Sequence, residues 1–155
     1  MVIGHVAAAF ALKPRDNSLP LWALCIAVLL TDLVGMVLVL LDLETMEPKP
    51  GLSAVNSMEM YLPYTHSLIL TPLWMLGGAL LYKTFRPTTS RKNLLIIAAA
   101  IASHWILDFI SHIPDLPIFL SREPVVGLGL WRNAKATIAV EALMLLGGIV
   151  LFWRA

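Results

Sequence analysis

Histidine and aspartate recur at every fourth position in the segment 103–112, as His104, Asp108 and His112. Residues spaced by four are offset by only about 40° around an α-helix, so the three side chains share one face. Imidazole nitrogen and carboxylate oxygen on one helix face can bind a zinc ion. The same spacing also occurs as a surface ion pair in soluble helices. In an apolar helix it occurs as a buried hydrogen-bonded cluster that joins helices. The segment therefore predicts a metal site or a buried polar network.

Four further ionisable side chains lie in apolar stretches, at His5, Asp32, His66 and Glu141. Such groups are costly inside a membrane, and they usually face a cavity, bind something or pair with one another. His5, taken alone, is either a hydrogen-bonded helix residue or a ligand, and Asp32 is either a proton relay or a partner of His5. Glu141 could accept a hydrogen bond from a ligand histidine and so orient it. Asp115 could simply cap a turn.

These residues are set in an unusually apolar chain. Hydrophobic residues make up 59% of its 155 residues and charged residues 14%, whereas a soluble domain carries about 25% charged residues. Four stretches reach the roughly 20 apolar residues that a membrane-spanning helix needs. They are 21–41, 66–83, 94–112 and 134–153. The sequence therefore predicts an all-α, multi-pass membrane protein with a single domain over 1–155.

The connections between these spans predict how the chain is oriented. The first twelve residues are apolar but too short to cross a bilayer at about 1.5 Å per residue, so we expect a half-spanning or interfacial helix there. The loop 83–93 carries four basic residues and no acid, which predicts that it lies on the cytoplasmic side. The opposite loop, 42–65, is long for a connector and could form a lid or a short interfacial helix.

Several of the polar residues are expected at the same depth in the membrane. If the outer interface lies near the outer ends of the spans, Asp32, His104 and Glu141 lie about 12 to 13 Å below it. That level is close to the middle of a hydrocarbon core about 30 Å thick. His5 would approach the same level from the inner side, and His66 would be shallower. The sequence therefore predicts one intramembrane cluster.

Several short blocks of this sequence resemble the YdjM-like family of membrane-bound, predicted metal-dependent hydrolases. The most specific blocks are Thr-His-Ser-Leu at 65–68 and Ser-His-x-x-x-Asp at 103–108. The others are Gly4-His5, Thr31-Asp32, the residues at 111–117, the residues at 127–131, and Glu141. The resemblance extends over nearly the whole chain. It implies a multi-pass bacterial or archaeal membrane protein with a metal site, and it leaves the substrate open.

A more distant similarity is to zinc-dependent phospholipase C, an all-α fold that binds zinc with histidines and aspartates on helices. It implies that His66, His104 and Asp108 hold one zinc ion. It further implies that Asp108 bridges to a second metal bound by His5. The chain departs from those enzymes because it has no second histidine near Glu141. One or two metals are therefore expected rather than three.

The residues and the resemblance together lead us to expect a membrane-embedded hydrolase. It would cleave a lipid or a lipid-linked ester or phosphoester through a metal-activated water, with Asp32 as the general base. The expected cofactor is Zn²⁺, and another divalent transition metal could use the same ligands. We expect the chain in a prokaryotic inner membrane, with membrane lipid as its substrate and environment. The net charge of +1 indicates no nucleic-acid partner, and the sequence carries no signal for oligomeric state.

Two other functions fit the same residues. Intramembrane acids and histidines also mark proton relays and ion pathways, so a proton- or ion-coupled transporter is one alternative. The chain is small for a transporter and shows no internal inverted repeat. The second alternative is a structural or regulatory membrane protein in which the metal only joins the helices. Closed coordination by four protein ligands would favour that reading, and an open coordination position would favour catalysis.

Overall fold

Helices form wherever this chain stays apolar, because an α-helix satisfies its backbone polar groups without water. The computed structural model describes residues 1–13 and 18–154. The α-helices are α1 (Val2–Leu12), α2 (Leu21–Val28), α3 (Leu30–Leu40), α4 (Thr71–Phe85), α5 (Arg91–Ser111) and α6 (Ala134–Trp153). The strands are β1 (Thr45–Pro48), β2 (Met58–Tyr61), β3 (Leu116–Pro117) and β4 (Val125–Val126). The expectation of a mainly helical chain is confirmed, and the expectation that it is all-α is modified by these short strands.

Three helical runs are long and apolar enough to cross a membrane, at Leu68–Phe85, Arg91–Ser111 and Ala134–Trp153. The first of them begins with a single 3₁₀ turn ahead of α4. The predicted span 21–41 is not one helix. It consists of α2 and α3, which are bent by 49° at a break between them. The chain therefore has three candidate spans, or four if the bent pair is counted as one.

The connections 42–65 and 113–133 each contain a β-hairpin. In the loop 42–65, β1 pairs antiparallel with β2, and Met46 lies opposite Met60 while Glu47 lies opposite Glu59. Alternate residues of a strand point to opposite faces, so this hairpin has a methionine face and an acidic face. The expected interfacial helix is thus absent from the described residues of this loop. In the second loop, β3 pairs with β4.

Small side chains build the core between α1, α2, α4 and α5. Ala9, Ala23, Ala27 and Ala100 are all buried there, and their size lets the helix backbones approach closely. Large apolar residues on the outward faces of the helices remain exposed, as Leu143 on α6 shows. Helix surfaces with this many exposed apolar side chains are typical of helices surrounded by lipid.

The first helix is anchored by the last one. α1 packs more extensively against α6 than against any other element. A Cβ atom added at Gly148 of α6 would lie 2.6 Å from the carbonyl oxygen of Ala7 in α1, so only glycine permits this approach. The contact holds α1 against the bundle and places His5, which is fully buried, in the interior.

Candidate metal centre

Four imidazole rings converge on the carboxylate of Asp108, which lies on the buried face of α5. Its Oδ2 atom is 2.9 Å from Nε2 of His104 and 3.7 Å from Nε2 of His66. Its Oδ1 atom is 3.1 Å from Nε2 of His5 and 3.8 Å from Nε2 of His112. Each oxygen of one buried carboxylate therefore faces a different pair of histidines.

The ring of His104 is oriented by a backbone carbonyl. Its Nδ1 lies 2.7 Å from the carbonyl oxygen of Val28, the last residue of α2, beside the bend between α2 and α3. A carbonyl oxygen can only accept, so Nδ1 must carry the hydrogen and donate it. In the neutral ring Nε2 then has a free lone pair, and this lone pair points toward Asp108. The carbonyl beside the bend thus fixes the orientation of the His104 ring.

A side-chain hydroxyl orients the ring of His66. Nδ1 of His66 lies 2.8 Å from Oγ1 of Thr65, and that hydroxyl donates its own hydrogen to Oε2 of Glu44 at 2.7 Å. The hydroxyl has only one hydrogen, so it must accept from Nδ1 of His66. In the neutral ring the lone pair of His66 is therefore on Nε2, which lies 3.2 Å from Oδ1 of Asp32 and 3.2 Å from Nε2 of His104.

The ring of His112, the residue that follows α5, is oriented through its Nδ1 atom like the rings of His104 and His66. Its Nδ1 lies 2.9 Å from Oδ1 of Asp115, so the ring donates to a carboxylate and leaves Nε2 facing Asp108. Its ring lies 4.2 Å from that of Trp131, centroid to centroid. The backbone amide of Gly129 donates to the carbonyl oxygen of His112 at 2.7 Å. These contacts hold the end of the helix and the ring in place.

His5 differs from the other three histidines. Its Nδ1 has no hydrogen-bond partner in the described part of the chain, so neither tautomer is imposed from that side. Its ring stacks on His104 with centroids 4.0 Å apart and planes 13° apart. Stacking and burial fix the ring, and Nε2 is the atom directed at Asp108.

Asp32 completes the cluster from α3. Its Oδ1 lies 3.2 Å from Nε2 of His66 and 3.5 Å from Nε2 of His104. Its side chain is 38% exposed, compared with 4% for His66. Asp32 is therefore positioned between the buried histidines and the adjoining cavity.

Two overlapping sets of these side chains could hold a metal ion. One set is His5, His104 and Asp108, the other is Asp32, His66 and His104, and the ligand atoms of each set lie within 4.8 Å of one another. The donor chemistry fits a divalent transition metal, since imidazole nitrogens and carboxylate oxygens are its usual ligands. Buried carboxylates also need compensating charge. Of the described residues that line the adjoining cavity, none is a lysine or arginine, and the terminal ammonium of Met1 lies 3.7 Å from Oδ1 of Asp108.

The adjoining cavity has a volume of about 510 Å³. Its polar wall includes Asp32, His66, Asp108, His112 and Glu141, and its apolar wall includes Met36, Met46, Met58, Met60 and Trp131. The methionine face of the β1–β2 hairpin therefore lies over the histidine cluster. A chamber with a few convergent polar groups in an otherwise apolar wall is typical of ligand sites.

The structure brings together six of the seven site residues predicted from sequence, namely His5, Asp32, His66, His104, Asp108 and His112. Glu141 lines the same cavity, but no hydrogen bond or ion pair links it to a histidine within 1–13 and 18–154. The atoms that accept from the histidine rings belong instead to Val28, Thr65 and Asp115.

Sequence reasoning missed Glu44 and Thr65 as members of the site. In the sequence Glu44 is one of several acids in the loop 42–65, and it is 1% exposed in the structure. Thr65 adjoins His66 in the Thr-His-Ser-Leu block, and this proximity was the one available signal. Comparison with known proteins adds no assignment, since no family model, curated protein or solved structure matches the chain.

Proposed function

We propose that this chain is a multi-pass membrane protein whose histidine–aspartate cluster binds one or two divalent metal ions, with Zn²⁺ as the first candidate, and hydrolyses an ester or phosphoester of a lipid. The observation that carries the proposal is the orientation of three rings. His66, His104 and His112 each donate from Nδ1 to a fixed acceptor. In the neutral rings the lone pairs are therefore on the Nε2 atoms, which all lie beside Asp108 and can bind a cation there.

The arrangement around Asp108 supports two adjacent ions. Oδ2 faces His66 and His104, and Oδ1 faces His5 and His112. We assign His66 and His104 to one ion, His5 and His112 to the other, and Asp108 to both. His112 is outside the two sets of three ligands described above, and it is included because its Nε2 lies 3.8 Å from Oδ1 of Asp108. A divalent ion bound there supplies Lewis-acid polarisation of a phosphoryl or acyl oxygen and a nucleophile at neutral pH.

The chain's own residues provide the remaining functions of the proposed reaction. Asp32 is the most exposed carboxylate of the cluster, at 38%, and it borders the cavity. We assign it as the general base, because it can accept a proton from water while its other contacts hold it beside His66. The deeply buried Asp108, at 3% side-chain exposure, is assigned a ligand role.

The cavity supports a substrate with a long apolar part. Met36, Met46, Met58 and Met60 line it, and methionine side chains adapt to apolar groups of varied shape. Residues of α3, α5 and α6, which belong to candidate spans, line the site, so a lipid could enter from the membrane itself. We place the basic loop 83–93 on the cytoplasmic side of a prokaryotic inner membrane by the positive-inside rule, and the cavity toward the opposite face. This is the architecture that the resemblance to the YdjM-like family implies.

Metal content is the direct test of the proposal. Protein purified in detergent without chelator would be analysed by elemental mass spectrometry, with His104→Ala and Asp108→Ala beside the wild type. We expect one or two zinc ions per chain in the wild type and their loss in both variants. A wild type with no stoichiometric metal would overturn the proposal. It would then favour a proton-coupled transporter or a buried polar network that joins the helices, the two alternatives left by the sequence.

A further inference from the structure

Glu44 is a buried acid just beyond the end of α3, and the hydrogen bonds of its side chain in the described chain all go to the segment that carries His66. It is 1% exposed. Oε1 accepts from the backbone amides of Tyr64 and Thr65, both at 2.9 Å, and Oε2 accepts from the hydroxyl of Thr65 at 2.7 Å. A carboxylate with three donors is locked in one orientation, because both of its oxygens are engaged.

Close approach at one glycine makes this arrangement possible. A Cβ atom added at Gly35 in α3 would lie 3.1 Å from Oγ1 of Thr65, 3.5 Å from Oε2 of Glu44 and 3.7 Å from Cε1 of His66. The side chains of Glu44, Thr65 and His66 therefore meet against the bare backbone of α3. The same helix carries Asp32, so the hydrogen-bond chain and the proposed base are fixed to one element.

We propose that Glu44 and Thr65 are positioning residues that hold the proton of His66 on Nδ1 and so keep its Nε2 free for metal. The inference rests on the proposed function. Glu44 fixes the direction of the Thr65 hydroxyl, and the hydroxyl then can only accept from Nδ1. Groups that orient a metal-binding histidine in this way set its tautomer and raise its basicity.

Replacing Glu44 with glutamine tests the direction of the hydrogen bonds without changing the shape of the side chain. The amide oxygen of Gln must face the two backbone amides, since an NH₂ group cannot accept from them. Its NH₂ group then donates to Thr65. The Thr65 hydroxyl, which is buried with no other acceptor in the described ranges, must turn its hydrogen toward Nδ1 of His66. The ring proton moves to Nε2, the atom that would bind metal.

The tautomer of His66 is measurable without metal. Long-range nitrogen-15 NMR spectra of histidine-labelled, chelator-treated protein in micelles would be compared for wild type and Glu44→Gln, with His66→Asn to assign the signals. We expect the Nδ1–H form in the wild type and the Nε2–H form in Glu44→Gln. The same tautomer in both proteins would overturn the inference, whether or not the wild type binds zinc.

Zinc affinity supplies the second readout, measured by competition with a chromophoric chelator. Outer groups of this kind change metal affinity by about 10- to 100-fold, so we expect that loss in Glu44→Gln and in Thr65→Val, which removes the hydroxyl but keeps the shape. Thr65→Ser keeps the hydroxyl and should retain the affinity. Glu47→Gln, on the acidic face of the β1–β2 hairpin, is the matched control. Equal zinc affinity in wild type, Glu44→Gln and Thr65→Val would overturn the positioning role and leave the proposed function standing. A wild type that binds no zinc would overturn the proposed function itself.

Discussion

Nε2 of His66 lies 3.2 Å from Nε2 of His104. The other nitrogen of each ring already donates its hydrogen, to Thr65 and to Val28. Two neutral rings held in this way direct lone pairs at each other, which is unfavourable unless a cation or an added proton lies between them. The pair therefore needs a positive charge at this point, which either a metal ion or an added proton on one ring would supply.

Single replacements on the two sides of Asp108 should remove different ions. His66→Ala removes a ligand that faces Oδ2, and His112→Ala removes one that faces Oδ1. If the wild type holds two zinc ions, each variant should retain about one of them, because the opposite pair of histidines is intact, and Asp108→Ala should retain neither. Elemental mass spectrometry on the three variants measures this. Complete loss of zinc in His112→Ala would contradict the assignment of separate ions.

Replacing Asp32 with asparagine should separate catalysis from metal binding. Asn keeps the shape of the side chain but cannot act as a base, so turnover should fall by about 10²- to 10⁴-fold while zinc content is retained. Turnover would be followed on phosphodiester and carboxylic ester lipids in mixed micelles. Glu47→Gln, on the acidic face of the β1–β2 hairpin and outside the cavity wall, is the control and should remain active. Loss of zinc in Asp32→Asn would show instead that Asp32 is a ligand.

The contact between α1 and α6 should be sensitive to one glycine and not to its neighbour. A side chain at Gly148 would meet the backbone of Ala7 at 2.6 Å, whereas a Cβ atom at Gly147 has nothing within 4 Å. Overpacking of this kind destabilises by about 1 to 3 kcal/mol, so Gly148→Leu should lower the thermal midpoint of unfolding. It should also weaken zinc binding by displacing His5. Gly147→Leu is the matched control, and equal effects of both would argue against the close approach.

The methionine wall should make affinity depend on the length of an apolar chain. Each buried CH₂ group contributes about 0.8 kcal/mol, so affinity for alkyl phosphates should rise by up to about fourfold per CH₂ until the cavity is filled. Met46→Gln combined with Met60→Gln should flatten this dependence, because both residues line the cavity. Displacement of a fluorescent alkyl phosphate from protein in nanodiscs measures it. An unchanged dependence in the double variant would place the apolar chain elsewhere.

Two features were predictable from the sequence. Long apolar runs predict helices, and a spacing of four residues places His104, Asp108 and His112 on one face of a helix. The bend at Leu29 was not predictable, since neither proline nor glycine marks it. The acceptor for Nδ1 of His104 is the backbone carbonyl of Val28. Every residue has such a carbonyl, so the sequence does not single this one out. The role of Glu44 could not be recognised in the sequence for a related reason. Its role depends on a tertiary contact with residues 20 and 21 positions away, and local composition describes it only as a loop acid.

The packing of α1 against α6 has a consequence for the order in which the protein can mature. A ribosome completes α1 long before α6, yet α6 is the main partner of α1. Until α6 is made, the helix that carries His5 lacks the surface that anchors it, although α5 with His104 and Asp108 is already in place. The nascent chain would therefore assemble the His66 side of the centre first and the His5 side last. Completion of the second half of the centre would then wait for α6, so that a translation product interrupted before α6 is left with half a site.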